Sequence, residues 1–78
     1  MNFPHGLNAR ALTRALEEDG FSPDRTAGSH HIYCHADGRT VPVAYTQPSD
    51  TFPIGTLRKM IRLARWTEED LRRLKLIK

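Results

Sequence analysis

Two alternating runs constrain this chain more than anything else in it. Residues 29–35 read SHHIYCH and residues 39–45 read RTVPVAY, with Ala-Asp-Gly between them. Each run reads as a strand, and Asp-Gly between strands is a hairpin turn because Gly38 accepts the positive φ such turns need. Pro42 has no N–H to give a ladder, so its N–H side points away from the partner strand or sits at a bulge. Before the hairpin, residues 22–27, SPDRTA, make a weaker strand that Pro23 restricts to an edge or a strand start.

Helical signals stand on both sides. In residues 8–19, NARALTRALEED, the apolar positions Ala9, Leu12 and Leu16 recur at helical spacing with Ala15 beside them. Asn8 suits the N-cap and Gly20 the stop. The stripe is narrow, which suits a helix lying on a sheet, and Phe21 anchors the chain as it leaves. Residues 46–53, TQPSDTFP, carry two prolines and read as a loop. Leu57, Met60, Ile61 and Ala64 then mark a second helix, with Thr56 as its expected cap and Gly55 as the bend before it. Arg58, Arg62 and Arg65 form a basic stripe on its opposite side. Thr67 opens a last short helix, where Asp70 completes a capping box. The order is α-β-β-β-α plus a short α, an α+β chain read as one domain over 1–78.

Composition narrows the classes. Seventy-eight residues leave no room for a second core. A hydrophobic content of 38% is too high for a disordered chain. No apolar run approaches the ~20 residues of a membrane helix, and MNFPHGLNAR lacks the features of a secretory signal. One cysteine makes no internal disulfide, so the expected compartment is the reducing cytoplasm. A small domain without such staples gains from a stabilising partner. Of the net charge of +3, residues 54–78 hold eight cations against three acids, or +5, leaving −2 for the remainder. A basic segment of this kind fits a polyanion such as nucleic acid; it also fits a solvated helix face.

The histidines of GSHHIYCH, residues 28–35, raise the question of a metal. A strand rises ~3.3 Å per residue, so His30 and Cys34 share a face about 13 Å apart, as do His31 and His35 on the other. Zinc ligands bind at about 2.0–2.3 Å, so no two of these residues from one strand can hold one ion. The sequence places no base or cation to activate Cys34, which reads as an ordinary small strand residue. Alternation puts His30, Ile32 and Cys34 on one face and His31, Tyr33 and His35 on the other. It leaves open which face is buried.

The motifs decide more in combination. Gly20-Phe21, Gly28-Ser29-His30-His31-Ile32-Tyr33, Asp37-Gly38-Arg39, Val41-Pro42-Val43, Gly55-Thr56-Leu57-Arg58 and Ile61-Arg62 follow one another in this order. In this order the chain resembles the YcfA-like family, the HicA-type toxins of toxin–antitoxin modules, over residues 9–70. The resemblance implies a double-stranded-RNA-binding-like fold. It implies an mRNA endonuclease that works without the ribosome, and a HicB-type antitoxin that binds it and covers its active site. The family's catalytic histidine falls on His30 and its core aromatic on Tyr33. His30 then lies on the open face, and His31 points inward as a structural residue. Two positions depart from the family: Ala44 and Tyr45 stand where a histidine often follows the Val-Pro-Val segment, and Arg65 stands where a glycine often ends the second helix.

The implied chemistry needs no cofactor. Without a metal, the 2′-OH of RNA is the nucleophile, and a histidine moves the proton because this side chain titrates near neutrality. His30 is the expected acid or base. Arg25, Arg39 and Lys59 are candidates to hold the phosphate, with Ser29 beside the histidine and Arg58 and Arg62 as further RNA contacts. His5 and His35 are the other histidines available as a complement, and nothing in the pattern favours either. RNA would be read mostly through backbone and 2′-OH. Two competing readings are a non-catalytic RNA-binding module on the same fold and a DNA-binding regulator. The second needs base-reading Asn, Gln or Arg at the start of its helix, and Leu57-Arg58-Lys59 offers little of that.

Overall fold

The structure is a computed structural model that describes residue 4 and residues 6–77; His5 lies outside the described residues. The elements are α1 Ala9–Glu18, β1 Phe21–Ala27, β2 His30–His35, β3 Thr40–Ala44, α2 Ile54–Ala64 and α3 Glu68–Arg73. The three strands form an antiparallel sheet in the order β1-β2-β3, so β2 is central.

Helix α1 starts where Asn8 accepts the Ala11 N–H at 2.9 Å, and it buries Ala9, Leu12, Ala15 and Leu16. It stops at Asp19, and Gly20 follows at φ 98°. A Cβ at residue 20 would come within 2.8 Å of His35 Nε2, so both conformation and space require glycine there.

Strand β1 is longer than its sequence suggests. Pro23 is tolerated because β1 is an edge, and the register slips between Pro23 and Arg25, leaving Asp24 as the extra residue of a bulge. The turn into β2 is Gly28-Ser29, with Gly28 at φ 61° and Ser29 not positive, the pattern of a type II′ turn. Between β2 and β3, the His35 N–H donates to the Arg39 C=O and the Tyr45 N–H to the Ser29 C=O, each at 2.9 Å. Ladder bonds therefore involve the odd residues of β3, and Pro42 sits between them with its missing N–H on the free edge.

Both long helices cover one face of the sheet, α1 near β1 and α2 near β3. Phe21, Tyr33, Val41 and Val43 from the sheet meet Leu12, Leu16, Leu57, Met60, Ile61, Leu71 and Leu74 from the helices. Tyr33 is thus on the core side, and alternation puts His30 outside.

Thr56 does not cap α2. Pro53 is the N-cap, and its C=O already accepts the Leu57 N–H at 2.9 Å, so Gly55 and Thr56 belong to the first turn. The proline sets the helix entry by its fixed φ, and no side-chain cap forms. At the other end Arg65 takes φ 58° where glycine is usual, and the Trp66 N–H closes back to the Ile61 C=O at 3.2 Å. Lys75 repeats the device after α3 at φ 62°, with the Leu76 N–H on the Leu71 C=O at 2.8 Å. In both cases the next residue, Trp66 or Leu76, is buried, so packing offsets the left-handed backbone. The Thr67–Asp70 capping box that opens α3 is fully formed. Among the described residues, no helix is long and apolar enough to cross a membrane.

Candidate functional site

The Gly28-Ser29 turn delivers His30 as the first residue of β2. Ser29 is held by its C=O, which accepts the Tyr45 N–H. His30 is exposed, and its cross-strand neighbours are Ala27 on β1 and Ala44 on β3. Directly opposed residues share a face of a sheet. The open face is therefore three rows deep: Ala27, His30 and Ala44; then Arg25, Ile32 and Pro42; then Ser22, Cys34 and Thr40. Alanine on each side leaves the imidazole unobstructed. Arg25 stands diagonal to His30, a separation of about 7–8 Å that a long side chain bridges.

The bulge decides that placement. Continued without a slip, the register of Phe21 with His35 and Pro23 with Tyr33 would set Asp24 opposite Ile32 and turn Arg25 inward. Extruding Asp24 puts a cation, rather than an acid, on the face that carries His30.

The other histidines of β2 are occupied on the covered face. The His31 ring stacks on Tyr45 with centroids 4.1 Å apart and planes at 17°, and its two nitrogens lie 3.4 Å from the Thr26 hydroxyl and the Tyr45 C=O. Tyr33 is buried on the same face. Its pKa is raised, by burial first and then by Tyr45 and Glu17. His35 Nε2 donates to the Asp19 C=O at 2.9 Å. Its Nδ1 accepts the Asp37 N–H at 3.1 Å and lies 3.1 Å from the Asp37 carboxylate. It also sits edge-on to Phe21, 5.1 Å between centroids. His35 is on the wrong face and at the far end of the strand to complement His30.

Arg39, expected to hold phosphate, is a structural cation instead. Its side chain is 14% exposed and lies 4.8 Å over the Phe21 ring. It donates to Asp37 Oδ2 at 2.8 Å, to Asp19 Oδ2 at 3.1 Å and to the Ala64 C=O. Asp19 is the hub of this end of the molecule. Besides Arg39 it accepts Trp66 Nε1 and Arg73 Nη2, each at 2.9 Å. Burial alone would raise its pKa; the hydrogen bonds from Trp66, Arg73 and Arg39 outweigh that and hold the carboxyl below the ordinary aspartate value. Sequence reasoning missed this hub, because Asp19 looks like any acid at a helix end.

Arg58, Lys59 and Arg62 project from the exposed side of α2, across the sheet from His30. The structure thus brings Arg25, Ser29 and His30 together and leaves Arg39 and the α2 cations elsewhere. Among the described residues, no three of His, Cys, Asp and Glu are placed to hold a metal ion. What the open face offers is one accessible imidazole, an arginine in the next row and no acid in its three rows. That set can move a proton and hold an anion.

The family model described as the HicA toxin of bacterial toxin–antitoxin systems matches residues 9–66, from the start of α1 through Trp66. No curated protein matches the chain.

Proposed function

The chain belongs to the HicA toxin family, and from that premise we propose that it is an endoribonuclease that cuts mRNA independently of the ribosome and is restrained by a HicB-type antitoxin. His30 takes the proton from a substrate 2′-OH as that oxygen attacks the adjacent phosphorus, or returns one to the leaving 5′-oxygen. Arg25 binds the non-bridging oxygens and the charge that grows on them. Ser29 holds the strand entrance rigid and lies within reach of the same backbone. No step calls on a metal.

The observation that carries this reading is the exposed His30 between two alanines, with Arg25 on the same face. A face with small neighbours admits a sugar–phosphate backbone, and membership of a toxin family supports the reading.

The test is RNA cleavage in EDTA by the wild type, His30→Ala and His31→Ala. The wild type should cut. His30→Ala should lose about 10²–10⁴-fold in rate, the usual contribution of one acid–base group. His31→Ala should keep most of its activity, because its ring acts through packing on Tyr45. A dead His31→Ala with an active His30→Ala would reverse the roles. Binding of RNA without cleavage by all three proteins would make this a binding module.

A further inference from the structure

The sheet face and the helix layer present different chemistry, and the second has no part in the mechanism above. Helix α2, IGTLRKMIRLA, contains Arg58, Lys59 and Arg62 and no acid. At 3.6 residues per turn, Ile54, Arg58 and Arg62 follow one another along one exposed stripe, and Lys59 stands beside it. The side chains of Lys59 and Arg62 form no ion pair among the described residues. Ile54, at 49% exposure, is the one exposed large hydrophobic residue among them. An isoleucine at the head of a cationic stripe is a poor match for a sugar–phosphate backbone, which has no apolar group to cover it. It is a good match for a protein segment that carries acids and one apolar side chain.

We propose that this stripe is the docking surface for an acidic segment of the antitoxin, separate from the face that carries His30. The inference rests on the toxin reading, since it takes its partner from it. Charge complementarity selects the occupant: a cationic helix face draws an anionic partner and speeds the encounter. Capture from the helix side leaves the sheet face to be covered by another part of the same partner. The toxin is then held even where RNA competes for His30.

The experiment uses the full chain and its cognate antitoxin. Lys59→Glu with Arg62→Glu, and separately Ile54→Ser, are titrated with the antitoxin at several salt concentrations. The same proteins are assayed for cleavage of a short single-stranded RNA in EDTA. The double reversal should weaken antitoxin binding at least about tenfold and flatten its salt dependence, and Ile54→Ser should weaken it severalfold. Cleavage of the short RNA should stay within about twofold of the wild type, since these groups lie across the sheet from His30. Unchanged antitoxin affinity in the double variant overturns the proposal. If RNA affinity falls while antitoxin affinity holds, the stripe is an RNA surface instead. Absence of cleavage by the wild type would count against the nuclease reading and leaves the antitoxin titration to judge the stripe.

Discussion

The two ends of β2 carry the same residue type in opposite states. At one end His35 is satisfied at both nitrogens, packed on Phe21, and set within a network of Asp19, Asp37, Arg39, Trp66 and Arg73. At the other end His30 is exposed and flanked by alanines. The contrast shows which side chains the fold has used and which it leaves open. A polar side chain whose hydrogen bonds are all met inside the protein has nothing left for a substrate, and one left open on a rigid strand does. The cations divide in the same way: Arg39 is committed to carboxylates and a helix terminus, while Arg25 is left on the open face.

The comparison can be broken most directly by swapping its readouts. His30→Ala should remove cleavage as stated above yet move stability by no more than about 0.5 kcal/mol, as for an ordinary surface change. A large loss of stability on chemical denaturation would mean that His30 belongs to the structure. Asp19→Ala should do the reverse. Three donors from three parts of the chain lose their acceptor, one of them the largely buried Arg39, and about 3 kcal/mol of stability should go with it. Cleavage by the folded fraction should be retained.

The Asp19 end also contributes to the behaviour in acid. Its folded pKa lies below the unfolded value, so the linked stability is fully present above the ordinary aspartate pKa and is lost as pH falls through the folded one. Denaturation midpoints measured from neutrality downward should drop across that acid range in the wild type. In Asp19→Asn this part of the drop should disappear, from a lower starting stability. A wild type and variant that fall in parallel would remove Asp19 from the account.

Smaller effects sharpen the picture. Gly20→Ala forces both a strained φ and a clash with His35, and about 1–3 kcal/mol should be lost. Arg65→Gly should raise stability by about 0.5–1 kcal/mol, because glycine takes the left-handed turn after α2 without a Cβ penalty. Thermal midpoints of the two variants should therefore move in opposite directions.

Much of this architecture was legible along the chain. The hairpin, the stripe of α1, the capping box of α3 and the alternation that separates His30 from His31 are local patterns, and local backbone geometry enforces them. The start of α2 was less legible, since Pro53 begins the helix before the threonine that looks like a cap. Arg25 was named from its charge alone; its place beside His30 depends on a bulge, and no local pattern marks which residue of an edge strand is extruded. Arg39 was misplaced for the same reason. A sequence shows that an arginine follows Asp-Gly and does not show that Asp19 will be beside it.

By itself, then, the sequence determined the order of elements, which side chains share a face, and the family to which the motifs point. Only the tertiary structure decided that Arg39 is engaged within the fold and that Arg25 lies on the open face. The physical reason is distance along the chain: Asp19 meets Trp66 and Arg73 across separations of 47 and 54 residues. Periodicity reports only the few residues on either side of a position. Such partners are chosen when the helices settle on the sheet.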